Sequence, residues 1–337
     1  MGSSGRGACV RKGRKQASFS LSSFPRKREP SGWAPAYAGV TKEQTLPKQA
    51  ILIVNSASRR GADAFEEARA KLEMAGVELI DARAIDEPET LPGEVNAAID
   101  RAPMVIVGGG DGTLSETIDY FLGTNTVFAF LPLGTANSFA RTLGFPLDLD
   151  GAIEVIATGE PRKIDLAAIN GDYFLNNAAL GLAPVVAETV PQGLKKLLGR
   201  TGYLLWAGWS AASFHAFRLK IENGETTHRM WATEARIANG RFHGGLELIE
   251  SADLHSGEVV IQAVEGRSVF GLGWSYFASA AKLKSRKGTV REFHGTKMRV
   301  STRPRMRVSI DGELGPETPF EVSVLADAVT VAAPRTS

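Results

Sequence analysis

Three consecutive glycines and an aspartate form the segment of the chain best suited to bind phosphate. Gly108–Thr113 follows the apolar run Met104–Val107 and precedes a helical pattern. Glycines let the backbone approach an anion closely, and N–H groups that converge at a helix N-terminus favour negative charge. Asp111 can reach a phosphate-bound cation, and Thr113 can donate a hydroxyl and cap the helix. The segment has neither Walker A nor Gly-x-Gly-x-x-Gly spacing, which leaves a different phosphate loop or a plain strand-to-helix turn.

A second loop of the same kind lies further along the chain. Leu131–Arg141 also follows an apolar strand and precedes a helix. Loops at the carboxyl ends of adjacent parallel strands meet in one crevice, where open α/β sheets bind their ligands. The pair of loops therefore predicts a single nucleotide cleft.

At these two loops the sequence resembles the diacylglycerol kinase catalytic family, which includes sphingosine kinases and soluble bacterial lipid kinases and is distantly similar to NAD kinases. The resemblance covers nearly all of residues 49–334. It has five features along the chain: Ile53–Ser56 with Arg59–Gly61, Gly109–Thr113 with Glu116, Pro132–Arg141, Lys163–Leu166 with Tyr173–Asn177 and Gly181, and Val308–Glu313.

The resemblance implies a lipid kinase that uses ATP and Mg²⁺. It implies Asp111, Asp165 and Glu313 as catalytic carboxylates, with Glu313 as proton acceptor and Asp111 as the contact to nucleotide-bound Mg²⁺. Phosphoryl transfer requires these tasks, since the phosphates must be held, their charge offset and the acceptor hydroxyl oriented. The nucleotide-side residues it implies are Asn55, Gly109, Gly110, Asp111, Gly112, Thr113, Leu114, Ser115, Thr135 and Asn137.

Several positions depart from the family pattern. Ser115 and Ser138 replace an Asn and an Asp, and Ser256 stands where related bacterial enzymes have an Asp of an accessory magnesium site. We therefore expect no such accessory site. Two alternatives stay open: an NAD kinase, against which the missing downstream Asn-Glu pair argues, and a nucleotide-binding regulatory protein with weak transfer activity.

The elements around the loops predict an α/β domain. Apolar runs of buried-strand type at 50–54, 77–82, 104–107 and 127–131 alternate with helical patterns at 62–75, 92–101, 113–122 and 138–143. This alternation indicates a parallel sheet. We predict a Rossmann-like nucleotide domain over 49–163, to which 316–334 returns.

Beyond Ile164 the pattern changes to short alternating runs separated by Gly, Asn and Asp, which predicts an antiparallel β-sandwich over 164–315 as the lipid-substrate domain. ATP is expected in the interdomain cleft. Two apolar insertions, Leu194–Phe214 and Ser268–Leu283, are candidates for a lipid-facing wall. Trp206 and Trp209 in the first favour core packing over lipid contact.

Composition limits the setting in which the protein acts. Residues 1–49 hold ten Lys or Arg against two acids, and we predict that 1–48 is a disordered basic tail, with a natural start near position 45. Cys9 is the single cysteine, so the default location is cytoplasmic. No run is long enough to span a bilayer, and the five histidines share no zinc-ligand spacing. The expected partner is a lipid met by transient contact with the inner membrane face, not a nucleic acid, and the oligomeric state stays open.

Overall fold

A computed structural model describes residues 45–57, 61–181, 216–266 and 290–335. Most of the predicted tail, including Cys9, lies outside these ranges. The same is true of Arg59, Arg60 and both predicted insertions.

The N-terminal half is a parallel sheet covered by helices. Its strands lie in the order β2, β1, β3, β4, with all neighbours parallel. The elements are β1 Gln49–Asn55, α1 Gly61–Met74, β2 Glu78–Ile85, α2 Leu91–Ile99, β3 Met104–Gly109, α3 Asp111–Ile118 and β4 Val127–Pro132. Single 3₁₀ turns precede α2 at Pro88–Thr90 and follow α3 at Asp119–Phe121.

The central strands of this sheet are apolar because both of their faces are covered. Every residue of β3 and β4 is buried. This is the expected pattern where helices cover both faces of a parallel sheet. Two further helices, α4 Ser138–Thr142 and α5 Leu149–Thr158, follow β4, and the Asp148 side chain accepts a hydrogen bond from Gly151 N (2.9 Å) to cap α5.

Two long strands connect the halves of the chain. β5 Glu160–Ile169 and β17 Phe320–Ala333 pair antiparallel along most of their length, and Val331 also pairs with Phe128 of β4. The sheet therefore continues from the parallel strands into the antiparallel ones. The predicted limit between 163 and 164 falls inside β5, and the domain limits stay a prediction.

Antiparallel strands form the second half. β9 is shared: its first half pairs with β8, and its second half lies between β7 and β12. The strands are β6 Asp172–Phe174, β7 Asn177–Gly181, β8 Phe217–Asn223, β9 Thr226–Ala238, β10 Phe242–His243, β11 Leu246–Glu247, β12 Val259–Glu265, β13 Val290–Gly295, β14 Lys297–Arg303, β15 Arg307–Ile310 and β16 Glu313–Glu317.

The fold confirms the predicted class, a parallel α/β half followed by an antiparallel β half. One large hydrophobic cluster lies among the parallel strands and their helices, and a second lies among the antiparallel strands. No helix in the described ranges is long and apolar enough to cross a membrane.

Phe130 on β4 is central to the first cluster and gives a test of the packing. Its ring is fully buried, with ring centroids of Phe139 and Phe145 at 5.1 and 4.4 Å. Phe130→Ala should lower the free energy of unfolding by about 3–5 kcal/mol, because it leaves a cavity beneath the two loops. Urea denaturation measures this. Met74→Ala, at a side chain that is 78% exposed, is the control and should change stability little; equal losses would contradict the assignment.

Candidate active site

The first loop joins β3 to α3 in a geometry that suits an anion. α3 begins at Asp111 with Gly110 as its N-cap, and the Leu114 N–H donates to the Gly110 carbonyl (3.1 Å). The N–H groups before Leu114 have no acceptor within the helix, and they lie at the positive end of its dipole. Gly112 is exposed, and no atom lies within 4 Å of the place its Cβ would occupy. This terminus can hold a phosphate.

The two predicted loops are in direct backbone contact. A Cβ on Gly134 would lie 2.6 Å from the Cα of Gly110, and the Leu133 N–H donates to the Gly109 carbonyl (2.9 Å). A Cβ on Gly109 would lie 2.6 Å from the Cβ of Thr113. A side chain at Gly134 would push the loops apart, and one at Gly109 would collide with Thr113 of its own loop. The prediction that the loops share one cleft therefore agrees with the geometry.

The carboxylate of Asp111 fixes the second loop to the first. It accepts hydrogen bonds from the backbone N–H groups of Ser138 (3.0 Å) and Phe139 (3.1 Å), which begin α4, and the Asn176 amide lies 3.5 Å away. Its two oxygens have about four acceptor sites, so they retain capacity for a cation or water.

Asn55 and Asn137 are held by contacts within the loops. The Asn55 amide donates to the Thr113 hydroxyl (3.1 Å), which ties the end of β1 to α3. The Asn137 amide donates to the carbonyls of Pro132 (2.9 Å) and Gly134 (3.0 Å), and its backbone is left-handed with φ 46°. Both side chains therefore stabilise the conformation of the loops.

The remaining predicted nucleotide residues differ in exposure. Thr135 is exposed at the tip of the second loop and open to a ligand. The Leu114 side chain is buried, so only its backbone is available. The Ser115 hydroxyl donates a short hydrogen bond to the Asp311 carboxylate instead of pointing to open space.

Asp311 belongs to the Val308–Glu313 feature, but the sequence assigned it no role of its own. It begins a two-residue hairpin turn between Ile310 and Glu313, where Asp311 (φ 45°) and Gly312 (φ 98°) both have positive φ. Asp-Gly is the sequence signal for such a type I′ turn. The signal identifies the turn but not the partners of its carboxylate.

The Asp311 carboxylate connects three parts of the chain. It accepts from the Ser115 hydroxyl on α3 and from the backbone N–H groups of Leu175 (2.9 Å), Asn176 (3.2 Å) and Asn177 (3.0 Å). Burial raises the pKa of this carboxyl, while the same four hydrogen bonds favour its ionised form. The bridge holds the Asp-Gly-Glu turn against the phosphate-loop helix.

Glu313 and Glu116 carry two negative charges near the Asp-Gly-Glu turn. Glu313 begins β16 and is exposed, and Glu116 follows Ser115 on α3. Partial burial raises the pKa of the Glu116 carboxyl, and the charges of Glu313 and Glu89 raise it further. Neighbouring carboxylates repel each other, and a cation between them relieves that repulsion.

Asp165, whose catalytic role stays a prediction, is a buried carboxylate held by backbone donors. The side chain is 3% exposed, and its oxygens accept from the backbone N–H groups of Gly257 (2.6 Å) and Asp327 (2.9 Å). The Asp165 N–H donates to the Leu254 carbonyl (2.7 Å). These contacts describe a structural carboxylate that anchors the 252–257 turn, and they give no support to the catalytic prediction.

His243 is a second residue near the cleft, and the sequence assigned it no role beyond the absence of a zinc-ligand spacing. Its β10–β11 hairpin contacts α4 and β7. The Gly245 N–H donates to the hydroxyl of Ser138 on α4 (3.2 Å), and the amide of Asn177 on β7 donates to the Phe242 carbonyl (3.2 Å). Burial lowers the pKa of the imidazole, and the charge of Arg236 acts in the same direction. A neutral imidazole near Asp111 is therefore expected.

The donor set suits Mg²⁺ that enters with a nucleotide. In the described parts of the chain, no group of three or more His, Cys, Asp or Glu is placed to hold a metal ion. Mg²⁺ in kinases is held by one or two carboxylates together with substrate phosphates and water. Asp111, which keeps acceptor capacity beyond its two backbone donors, fits that requirement. Ser256 donates to the carbonyls of Asp253 (2.9 Å) and Glu258 (3.1 Å), so its hydroxyl is used within the turn.

Comparison with known proteins finds a family model that matches the part of the chain containing both loops. Residues 49–169 match the model of the diacylglycerol kinase catalytic domain. That range is somewhat more than a third of the chain and contains both loops. A diacylglycerol kinase of Staphylococcus epidermidis is 27% identical over 86% of this chain and 93% of its own length.

Other relatives extend the comparison. A probable lipid kinase YegS-like protein of Pseudomonas syringae is 35% identical over 42% of this chain and 47% of its own length. The crystal structure of a putative diacylglycerol kinase from Bacillus anthracis has a TM-score of 0.73 at 24% identity, covering 87% of this chain and 98% of that one. At this identity the structural likeness establishes the shared fold.

The contact between the two glycines gives a test of the loop geometry. Gly134→Ala places a Cβ 2.6 Å from the Cα of Gly110, so the two loops must separate. Nucleotide affinity should then fall by at least about tenfold, because misplacing a bound group by about 1 Å costs more than that in reaction rate. Calorimetric titration with ATP measures this.

Gly93→Ala is the matched control for that substitution. Its Cβ on α2 meets nothing within 4 Å, and it should leave affinity unchanged while stabilising the helix by about 0.5–1 kcal/mol. Unchanged ATP affinity in Gly134→Ala would contradict the proposed position of the nucleotide.

The Asp311 bridge is open to a second test. Asp311→Asn keeps the size of the side chain but points an amide N–H at backbone donors, so we expect a loss of about 1–3 kcal/mol in unfolding free energy. Asp86→Asn, in an exposed loop, should change stability little. Equal free energies of unfolding for the two variants in urea denaturation would show that the bridge does not stabilise the fold.

Proposed function

We propose that this chain is a lipid kinase that transfers the γ-phosphoryl group of Mg-ATP to a hydroxyl of a diacylglycerol or sphingoid-like lipid. The match of residues 49–169 to the diacylglycerol kinase catalytic domain, and the likeness to diacylglycerol kinases, support the reaction class. The observation that carries the proposal is the hydrogen bond between Ser115 and Asp311. It joins the helix of the phosphate loop to the turn that bears Glu313, so a nucleotide and an acceptor hydroxyl can be held side by side.

The triphosphate binds where the two loops meet. The N-terminus of α3 and the backbone of the glycine loop hold the phosphates, and exposed Gly112 and Thr135 border the open side. Mg²⁺ would be held by Asp111 and would offset the charge of the transferred group. Catalysis of phosphoryl transfer depends mainly on such positioning and charge stabilisation.

Glu313 acts as the proton acceptor. It is exposed beside the cleft, while Asp311, two residues earlier, is fixed by four hydrogen bonds. The attacking lipid hydroxyl gives its proton to the Glu313 carboxylate as its oxygen bonds to phosphorus and the bond to the ADP oxygen breaks. The turn thus orients the base with little conformational freedom to lose.

The acceptor is proposed to be a lipid alcohol at a membrane surface. The relatives from Staphylococcus are diacylglycerol kinases, and the relative from Pseudomonas syringae is a probable lipid kinase. Such an acceptor resides in a bilayer, so the enzyme would act by transient peripheral contact from the cytoplasmic side.

Glu313→Gln separates chemistry from nucleotide binding. Loss of a general base costs typically ~10²–10⁴ in rate, so kcat should fall by that factor while ATP affinity is retained. Transfer of label from [γ-³²P]ATP to dispersed diacylglycerol, with ATP titration in parallel, measures both quantities.

Glu317→Gln is the matched control, since this exposed glutamate lies on the same strand. It should keep wild-type turnover. The same assay with sphingosine, ceramide, undecaprenol and NAD tests the acceptor. Label in NAD alone would refute the lipid reaction, and tight ATP binding without transfer to any acceptor would instead favour the regulatory role.

A further inference from the structure

The outer face of the antiparallel sheet bears a group of cations with one aromatic ring. Arg218 on β8 lies opposite Trp231 on β9 and Arg303 on β14, and Lys220 lies opposite Arg229 on β9. We name these five residues the basic face. They point outward because alternate strand residues face opposite sides, and the intervening residues are buried in the second hydrophobic cluster.

The basic face forms a cavity of about 640 Å³. Arg218, Arg229 and Arg303 are exposed, and among the described residues that line the cavity none is acidic. The nearest carboxylate along β8 is Glu222, which pairs with Lys220 (2.7 Å). Residues 50–337 hold 29 Lys or Arg and 35 Asp or Glu, so positive charge is concentrated here on an acidic body.

Trp231 gives the basic face an amphipathic component. The guanidinium carbon of Arg218 lies 5.1 Å from the centroid of the indole ring, within cation–π distance. Trp and Arg side by side suit a boundary between water and apolar matter, because each has an apolar surface and a polar end.

Four residues next to the basic face lie at or near the ends of the described segments, on either side of 182–215 and of 267–289. Gly181 pairs with Glu234, Phe217 pairs with Ala232, Gly266 N–H donates to the Trp231 carbonyl (2.9 Å), and Val290 pairs with Val264. All four positions lie against residues 231–234 of β9 or the neighbouring part of β12. The described chain therefore stops and resumes close to this cationic surface on either side of 182–215 and of 267–289.

We propose that the basic face binds the phosphate headgroups of an anionic phospholipid bilayer. This inference rests on the proposed function, since a membrane is the source of the lipid acceptor. Cations near an anionic surface attract it within a Debye length, while the acidic remainder of the body is repelled. The basic face therefore also selects the orientation in which the enzyme meets the membrane.

Flotation with lipid vesicles, without ATP, tests the proposal directly. The wild-type chain should bind vesicles that contain phosphatidylglycerol, bind pure phosphatidylcholine weakly, and detach as salt is raised. The double variant Arg218→Glu/Arg303→Glu should lose at least about tenfold in affinity for the anionic vesicles. Trp231→Ala should weaken binding with its charge dependence retained.

Lys297→Glu/Arg299→Glu is the matched control. It makes the same change in net charge at the other end of β14, where Lys297 pairs with Glu321 (2.8 Å) and Arg299 lies opposite Glu222. This control should lose much less affinity than the double variant. Equal losses would mean that net charge alone matters and would overturn the assignment of this face.

Two further measurements exclude other anions. Glycerol phosphate should not displace the protein from vesicles at concentrations where anionic vesicles compete, and duplex DNA should bind more weakly than vesicles. Displacement by the small anion would indicate a metabolite site, and tighter binding to DNA would indicate a nucleic-acid surface; either result would overturn the bilayer proposal.

Activity on a dispersed short-chain diacylglycerol separates this proposal from the kinase itself. Arg218→Glu/Arg303→Glu should keep wild-type turnover on the dispersed substrate and lose it on diacylglycerol in anionic vesicles. A wild-type chain that binds vesicles through the basic face but phosphorylates no lipid would refute only the proposed function. One that phosphorylates dispersed lipid but fails to bind vesicles would refute only the basic face.

Discussion

The Asp311 carboxylate is the contact on which the arrangement of the site depends. It receives the Ser115 hydroxyl from α3 and three consecutive backbone N–H groups from residues 175–177, at the start of β7. Moving a carboxylate out of water is costly unless several donors replace the lost hydration. These donors come from both halves of the chain, so the ionised form is stabilised only when α3, the 175–177 segment and the Asp-Gly turn are together.

Close contact between glycine backbones sets the other side of the cleft. Gly110 and Gly134 touch at a separation that leaves no space for a Cβ, and Asp111 then caps α4 from across the gap. The same carboxylate cannot give all of its acceptor sites to a metal while it holds α4. Glu116 and Glu313 add negative charge nearby, which fits a cation shared with phosphates better than one held by the protein alone.

The sequence predicted the elements well where burial imposes a simple period. Runs such as Met104–Val107 are apolar because both faces of the sheet are covered, and the structure has a strand there. The two loops were predicted to meet, and they do, since the carboxyl ends of β3 and β4 are adjacent. Asn137 and Ser115 were recognised by position, but their partners are not encoded in residue type. The sequence assigned Asp311 no role, because the Asp-Gly turn signal does not predict which N–H groups will donate to its buried carboxylate.

Asp165 lies at the junction of the two halves, and its contacts explain its burial. β5 and β17 cross from one hydrophobic cluster to the other, and their register shifts between Leu325 and Val329. Asp327, in this irregular stretch, has φ 52° and donates its N–H to Asp165, whose other oxygen accepts from Gly257. The carboxylate therefore satisfies backbone donors that the sheet leaves unpaired at the junction of the two halves.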